Sequence, residues 1–202
     1  MTFLHAAITG NNADLIKHVL QIYPLDGLDV VDFTYGKGTF WKKVDINKFR
    51  GFASLDVNPK VDGILKCDFR KTPFGEQFDA VFFDPPYRPY ATKRSAIEQA
   101  YANLETTKNY SIKDLAELYN GGIVEAYRVL KPGGLLFVKM QDCVSSGKQH
   151  RQTITVYNQA IDAGFEDQDK FILINKSPLH FPGWKKQMHA RKNYSELWVF
   201  KK

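Results

Sequence analysis

The chain has 202 residues, of which 44% are apolar and 25% charged, with a formal net charge of +6. These values fit one soluble α/β domain spanning residues 1–202 with a single core, and leave little room for a second full domain. Two cysteines, Cys67 and Cys143, are too few for a disulfide framework and point to a reducing cytoplasm. Residues 1–28 carry no basic-then-apolar leader, the longest apolar runs are only strand length, and the Cys and His residues show no metal-ligand spacing, which argues against a membrane protein or a metal site.

In chain order, Ala13, Leu15, Ile16, Val19, Leu20 and Ile22 are spaced as one face of a helix, with Asn12 as its N-cap. Pro24 and the Asp26-Gly27 pair close it and lead into Asp29-Val30-Val31-Asp32-Phe33, a short buried strand. Thr34-Tyr35-Gly36-Lys37-Gly38 follows directly. Two glycines spaced by one residue permit a tight turn and a close backbone approach to a ligand, although a G-x-G alone is more often a structural turn. Phe52 to Asp56 reads as the next strand and ends 24 residues after Asp32, the distance at which a strand-end carboxylate can accept the ribose hydroxyls of an adenosine. Ile64 to Phe69 is apolar and then acidic at Asp68.

Ala80 to Phe83 is continuous, apolar and rich in β-branched and aromatic residues, as in a strand buried on both faces of a parallel sheet. Pro85 and Pro86 supply no N–H to a ladder, so this strand ends at Asp84. Its end presents a carboxylate, rigid carbonyls and the Tyr87 ring at the carboxyl edge of the sheet, where open α/β folds bind ligands. Asp32, Asp56, Asp68 and Asp84 thus all stand at one inferred edge. Residues 88–110 interleave Arg88, Lys93, Arg94 and Lys108 with Tyr90, Tyr101 and Tyr110, either a segment that closes over a substrate or a plain surface excursion. Ser111 caps a helix from Ile112 to Leu130 that contains an awkward Gly121-Gly122 and stops at Lys131-Pro132-Gly133-Gly134. Leu135 to Met140 is a buried strand, 153–163 a helix ended by Gly164, and Phe171 to Ile174 and Tyr194 to Phe200 the last two strands. The 19-residue loop 175–193 between them mixes basic and aromatic residues. From Lys170 onward there are eight Lys or Arg and one acid, so the whole basic excess lies at this end, in a form that suits a phosphate backbone or simple solubility.

Asp84-Pro85-Pro86-Tyr87 resembles the D-P-P-Y signature of S-adenosylmethionine-dependent methyltransferases that modify exocyclic amino groups, chiefly adenine N6 or cytosine N4. Asp32 to Gly38 is similar to the family's D-x-F-x-G-x-G cofactor motif with the aromatic moved by one position. Tyr127 to Gly134 resembles the helix-turn-strand before the fifth strand of many such enzymes, and Arg191 to Phe200 the closing strand of DNA amino-methylases. The resemblance implies a Rossmann-like methyltransferase fold: a mostly parallel seven-stranded sheet with a C-terminal antiparallel hairpin at its edge and helices on both faces. It implies S-adenosyl-L-methionine as cofactor, with Asp32, Phe33, Thr34, Gly36 and Gly38 at its methionine end and Asp56 on the ribose. Asp68 falls to the adenine amino group, and Val57 or Phe69 lies against the adenine ring. Asp84 and Pro85 would accept from the target amino group, with Pro86 and Tyr87 completing the platform, and no metal is required. Lys185, Lys186, Arg191 and Lys192 would hold nucleic acid, DNA before RNA. No recognition domain is apparent, so sequence specificity is low or depends on a protein partner. Alternatives are an RNA base N-methyltransferase and an inactive nucleic-acid-binding relative; a protein glutamine methyltransferase fits less well, since those usually carry Asn at the Asp84 position.

Overall fold

The computed structural model describes residues 3–87, 89, 111–175, 188–190 and 192–202. Ten strands and three α-helices are assigned among them: β1 Ala7–Gly10, α1 Asn12–Val19, β2 Asp29–Asp32, β3 Gly51–Asp56, β4 Leu65–Lys66, β5 Phe78–Phe83, α2 Ile112–Val129, β6 Leu130–Met140, β7 Cys143–Ser145, β8 Lys148–His150, α3 Gln152–Asp162, β9 Glu166–Asn175 and β10 Tyr194–Lys201. Two 3-10 turns, Trp41–Lys43 and Ile46–Lys48, lie between β2 and β3.

Eight strands form one sheet in the order β1-β9-β10-β6-β5-β2-β3-β4. Only β10 is antiparallel to its neighbours; every other pair is parallel. The central strands are therefore buried on both faces, which is why Val30, Val31 and Ala80 to Phe83 read as unbroken apolar runs. One face carries the core of α2 and α3, with Tyr119, Ile123, Ala126, Val156 and Ala160 packed on Val31, Phe83 and Val138. The other face carries α1 and the 3-10 turns, with Leu15, Ile16, Val19 and Trp41 packed on Val30, Phe82 and Phe137. This is the doubly wound, Rossmann-like arrangement expected from the sequence, with the strand order reversing between β2 and β5, where such sheets open a ligand crevice.

Several details depart from the sequence reading. The sheet has eight strands rather than seven, because β1 adds in parallel to the outside of β9. Ala7–Gly10 shows no apolar alternation and is exposed or half-buried throughout, so it left no signal. The β9–β10 hairpin is consequently internal, with β10 hydrogen-bonded between β9 and β6, and not at the edge. Asn11, not Asn12, caps α1: its side chain accepts from the Asp14 N–H while the Asp14 carboxylate accepts from the Asn11 N–H, a reciprocal capping box. The strand at Ile64 to Phe69 shrinks to Leu65–Lys66, and β6 begins at Leu130 without an intervening loop. The β7–β8 hairpin was not foreseen; its two-residue turn places Ser146 at φ 50 and Gly147 at φ 71, the positive-φ pair that tight hairpins favour. Gly121-Gly122 is not a break in α2. Gly122 lets the helix press on the strand, for a Cβ there would lie 2.3 Å from Phe83 Cζ.

No helix among the described residues is long and apolar enough to cross a membrane. Both cysteines are free.

Candidate active site

The register of the parallel pairs sets Asp32 beside Phe82 and Phe83 beside Val138, so the ends of β2, β5 and β6 come out together. Asp32, Asp56, Asp84 and Lys139 all stand at this carboxyl edge. Lys192, just before β10, joins them, because Gln141 at the end of β6 donates to its carbonyl at 3.4 Å. Lys185, Lys186, Arg191 and most of 88–110 and 175–193 lie outside the described residues.

The glycine loop is built by backbone sterics. Gly36 has φ 56 and Gly38 φ 65, a left-handed conformation that other residues adopt only at a cost. The Gly36 N–H donates to Asp56 Oδ2 at 3.0 Å, and the Asn58 N–H donates to the other oxygen at 2.8 Å. Asp56 is thereby fixed against the loop, 4% exposed. Tyr35 folds back over the loop; its hydroxyl would lie 2.6 Å from a Cβ on Gly38.

Asp32 sits deeper than the sequence implied. Its Oδ1 accepts from the Thr34 N–H at 2.9 Å and its Oδ2 from the Trp41 indole N–H at 2.7 Å. Burial pushes its carboxyl up to about 7, against the pull of Trp41 and Thr34, with the Asp84 and Asp56 charges adding to the rise. It braces the loop from beneath. Phe33, expected beside the cofactor, is instead fully buried in the core with its ring edge-on to Phe83, because the residue after the strand end turns inward. Thr34 occupies the place where the resembled motif has its aromatic, and its hydroxyl accepts from the Asp84 N–H at 2.7 Å, tying the glycine loop to the Asp-Pro-Pro-Tyr segment.

Asp68 is drawn elsewhere. Arg70 grips its carboxylate through Nε at 3.0 Å and Nη2 at 2.5 Å, which holds the carboxyl below its usual range and competes with any ligand amino group. Phe69 packs on Phe83 at 4.8 Å between ring centroids, and Val57 is exposed at the rim.

Asp84 to Tyr87 is held from four sides. Lys139 on β6 donates to Asp84 Oδ1 at 3.3 Å and stands 5.1 Å from the Tyr87 ring centroid. The Tyr119 hydroxyl on α2 reaches the Pro85 carbonyl at 3.5 Å and the Lys139 carbonyl at 3.1 Å. Gln152 at the start of α3 donates to the Tyr87 carbonyl at 2.9 Å. With Thr34, these contacts recruit a loop, a strand and two helices to one tetrapeptide. Pro85 is buried, whereas Asp84, Pro86 and Tyr87 are half-buried and reach the surface.

Lys139, Tyr119, Gln152 and Trp41 were missed as site residues. One of them left a trace: Lys139 is the sole charge in the apolar run Leu135 to Met140, and a charge in a strand buried on both faces requires a partner.

No protein-family model matches the sequence, and no curated protein does. Solved structures do match. TrmN from Thermus thermophilus superposes with a TM-score of 0.56 at 17% identity over 93% of this chain and 48% of its own, so the chain spans about half the length of TrmN. An S-adenosylmethionine-dependent methyltransferase from Mesorhizobium loti gives 0.52 at 15% identity, over 96% of this chain and 99% of that one. The [4+2]-cyclase SpnF gives 0.57 at 15% identity, covering 94% and 80%. That one architecture appears under such different names places the burden of function on the site. The chain has the Rossmann-like fold found in S-adenosylmethionine-dependent methyltransferases.

Proposed function

We propose that this chain is an S-adenosylmethionine-dependent N-methyltransferase acting on the exocyclic amino group of a nucleic-acid base, adenine N6 in DNA ahead of cytosine N4. The observation that carries the reading is the state of the Asp84 platform. Its Oδ1 is taken by Lys139, while Oδ2 accepts no hydrogen bond among the described residues and the group remains half-buried at the surface.

The glycine loop fits an adenosyl cofactor. Its left-handed glycines bring no side chains of their own to the loop, and Asp56 stands at the next strand end, where a ribose diol is accepted in folds of this type. S-adenosylmethionine bound there supplies an electrophilic methyl group on a sulfonium. Thr34 bridges this loop to Asp84, so donor and acceptor subsites are built on one hydrogen-bonded unit.

The chain's own residues make the amino group reactive. An exocyclic amino nitrogen is a poor nucleophile because its lone pair is delocalised into the ring. Asp84 Oδ2 accepts one of its protons and the Pro85 carbonyl the other, which favours a pyramidal nitrogen with its lone pair directed out of the ring plane. Pro85 and Pro86 fix the spacing of these acceptors, and the Tyr87 ring stacks on the base. Positioning of this kind supplies much of a rate enhancement. A base within a duplex cannot reach a strand-end platform and has to be rotated out of the stack. Lys192, with the basic residues that precede it, supplies charge for the backbone.

The test is methyl transfer from labelled S-adenosylmethionine to duplex DNA, single-stranded DNA and RNA in parallel, with nucleoside analysis of each product. N6-methyladenine in DNA is expected, with Asp84→Asn retaining cofactor binding and losing about a hundredfold or more in rate. Product in RNA alone would move the substrate to RNA. Saturable cofactor binding with no transfer to any of the three would overturn a nucleic-acid base as the acceptor.

A further inference from the structure

Lys139 is 2% exposed, in a strand whose neighbours Leu136, Phe137, Val138 and Met140 are fully buried. A buried ammonium is costly unless paired, and its partners here are the two platform groups that face a substrate, Asp84 and Tyr87. We propose that Lys139 is a positioning residue of the site: its buried ammonium holds the Asp84 carboxylate in the ionised, acceptor-only form and anchors the Tyr87 ring, so that the platform takes an amino group with two protons to donate and rejects a keto oxygen at the same place. The proposal rests on the N-methyl transfer reading and deepens it to the choice of acceptor.

Asp84 needs such support. Burial pushes its carboxyl above the usual carboxylate range, and the Lys139 ammonium opposes that rise. Lys139 feels burial in the opposite sense, yet Asp84 and Tyr87 outweigh it and raise the ammonium to about 12, so this partner stays charged at neutral pH. Lys192 stands at the same edge, fixed there by its carbonyl to Gln141, and Arg151 just before α3 is paired with Asp142, while the other titratable groups gathered here are acids or phenols. Asp32 from the end of β2 adds negative charge near Asp84, Asp56 from β3 stands behind Asp32, and the Tyr119 hydroxyl from α2 bonds the Lys139 carbonyl. Among the described residues Lys139 is the one cation in ion-pair contact with Asp84. A protonated Asp84 would become a donor and meet an amino group donor to donor.

The experiment follows Asp84 directly, by carbon-13 NMR of the aspartate carboxyl carbons of the free protein, with the Asp84 signal assigned by its loss in Asp84→Asn. In Lys139→Met the Asp84 midpoint is expected to rise by at least one pH unit, and Lys139→Arg to return most of the shift. Should the Met variant not fold, Lys139→Gln takes its place, and the Lys139 ammonium followed in Asp84→Asn is expected to titrate at least tenfold more readily than in the wild type. An Asp84 midpoint unchanged in the Lys139 variants overturns the proposal. With the wild type active, the acid limb of kcat/KM moves to higher pH in Lys139→Met while the cofactor Kd stays within about twofold; loss of activity with an unmoved limb assigns Lys139 a merely structural role. Absence of methyl transfer by the wild type refutes the functional reading on separate data, because the carboxyl titration needs no substrate.

Discussion

Adjacent glycines in α2 should respond in opposite directions to the same substitution. At Gly122 an added Cβ would stand 2.3, 2.6 and 2.9 Å from Phe83 Cζ, Cε1 and Cε2. That ring is fully buried and boxed in by Phe33, Phe69 and Tyr119, so it cannot rotate away. Overpacking of this sort costs about 1–3 kcal/mol, against about 1 kcal/mol regained from replacing glycine in a helix. The net for Gly122→Ala is a loss of up to ~2 kcal/mol, or several degrees in Tm for a chain of this length. At Gly121 the nearest atoms are Arg70 Cγ at 3.0 Å and Cδ at 3.1 Å, in a side chain that is half exposed and can shift. Gly121→Ala should therefore keep most of the helix gain and raise stability by up to ~1 kcal/mol. Urea denaturation of both variants, read by circular dichroism, tests the pair. Since Phe83 leads directly into Asp84, Gly122→Ala should also lower methyl transfer more than Gly121→Ala does. Equal stabilisation of both variants would refute the claim that α2 meets β5 through Gly122.

Other outcomes follow from the same geometry. Asp32 binds its proton more tightly folded than unfolded, with a carboxyl at about 7 rather than 3.8, so this group makes stability fall as pH rises from about 4 to 7 and contributes no further change above. Asp32→Asn should remove that component, on the order of a few kcal/mol across the window, when urea midpoints at pH 5 and pH 8 are compared with wild type; equal slopes would show that Asp32 is not buried as described. Trp41→Phe deletes the indole donor 2.7 Å from Asp32 and should cost about 1–3 kcal/mol at pH 8, and less at pH 5 where the carboxyl is neutral. Gly38→Ala, at φ 65 and 2.6 Å from the Tyr35 hydroxyl, should weaken S-adenosylmethionine binding by at least tenfold in calorimetry, and unchanged affinity would remove the loop from the cofactor site. For nucleic acid, Lys185→Gln and Lys186→Gln should each reduce the slope of log K against log salt by about 1, without changing which base is methylated.

The elements that could be read in advance are those whose signal is local. Ser111 and the apolar spacing behind it mark the start of α2, and the double proline after Phe83 ends β5 where the chain cannot donate to a ladder. The strand-end acids and the G-x-G turn are short-range patterns too, and the parallel topology follows from apolar runs too continuous for a one-sided sheet. What remained hidden depends on partners far away in the chain. β1 becomes a strand only because β9 offers it an edge. Phe33 turns into the core against Phe83, 50 residues further on. The Asp68–Arg70 pair is local by contrast, two residues apart, and was open because residue type alone does not choose between a neighbouring guanidinium and a ligand.

The amino-acid sequence by itself determined the Rossmann-like class and the tetrapeptide at the carboxyl edge of the sheet, because proline, glycine and apolar periodicity act over a few residues. Only the tertiary structure decided how that edge is charged and held. Lys139 lies 55 residues beyond Asp84, and Tyr119 and Gln152 lie 34 and 65 residues beyond the Pro85 and Tyr87 carbonyls they bind. Hydrogen bonds and ion pairs at such separations arise from the folding of β5, β6, α2 and α3 against one another, and residue spacing carries no record of them.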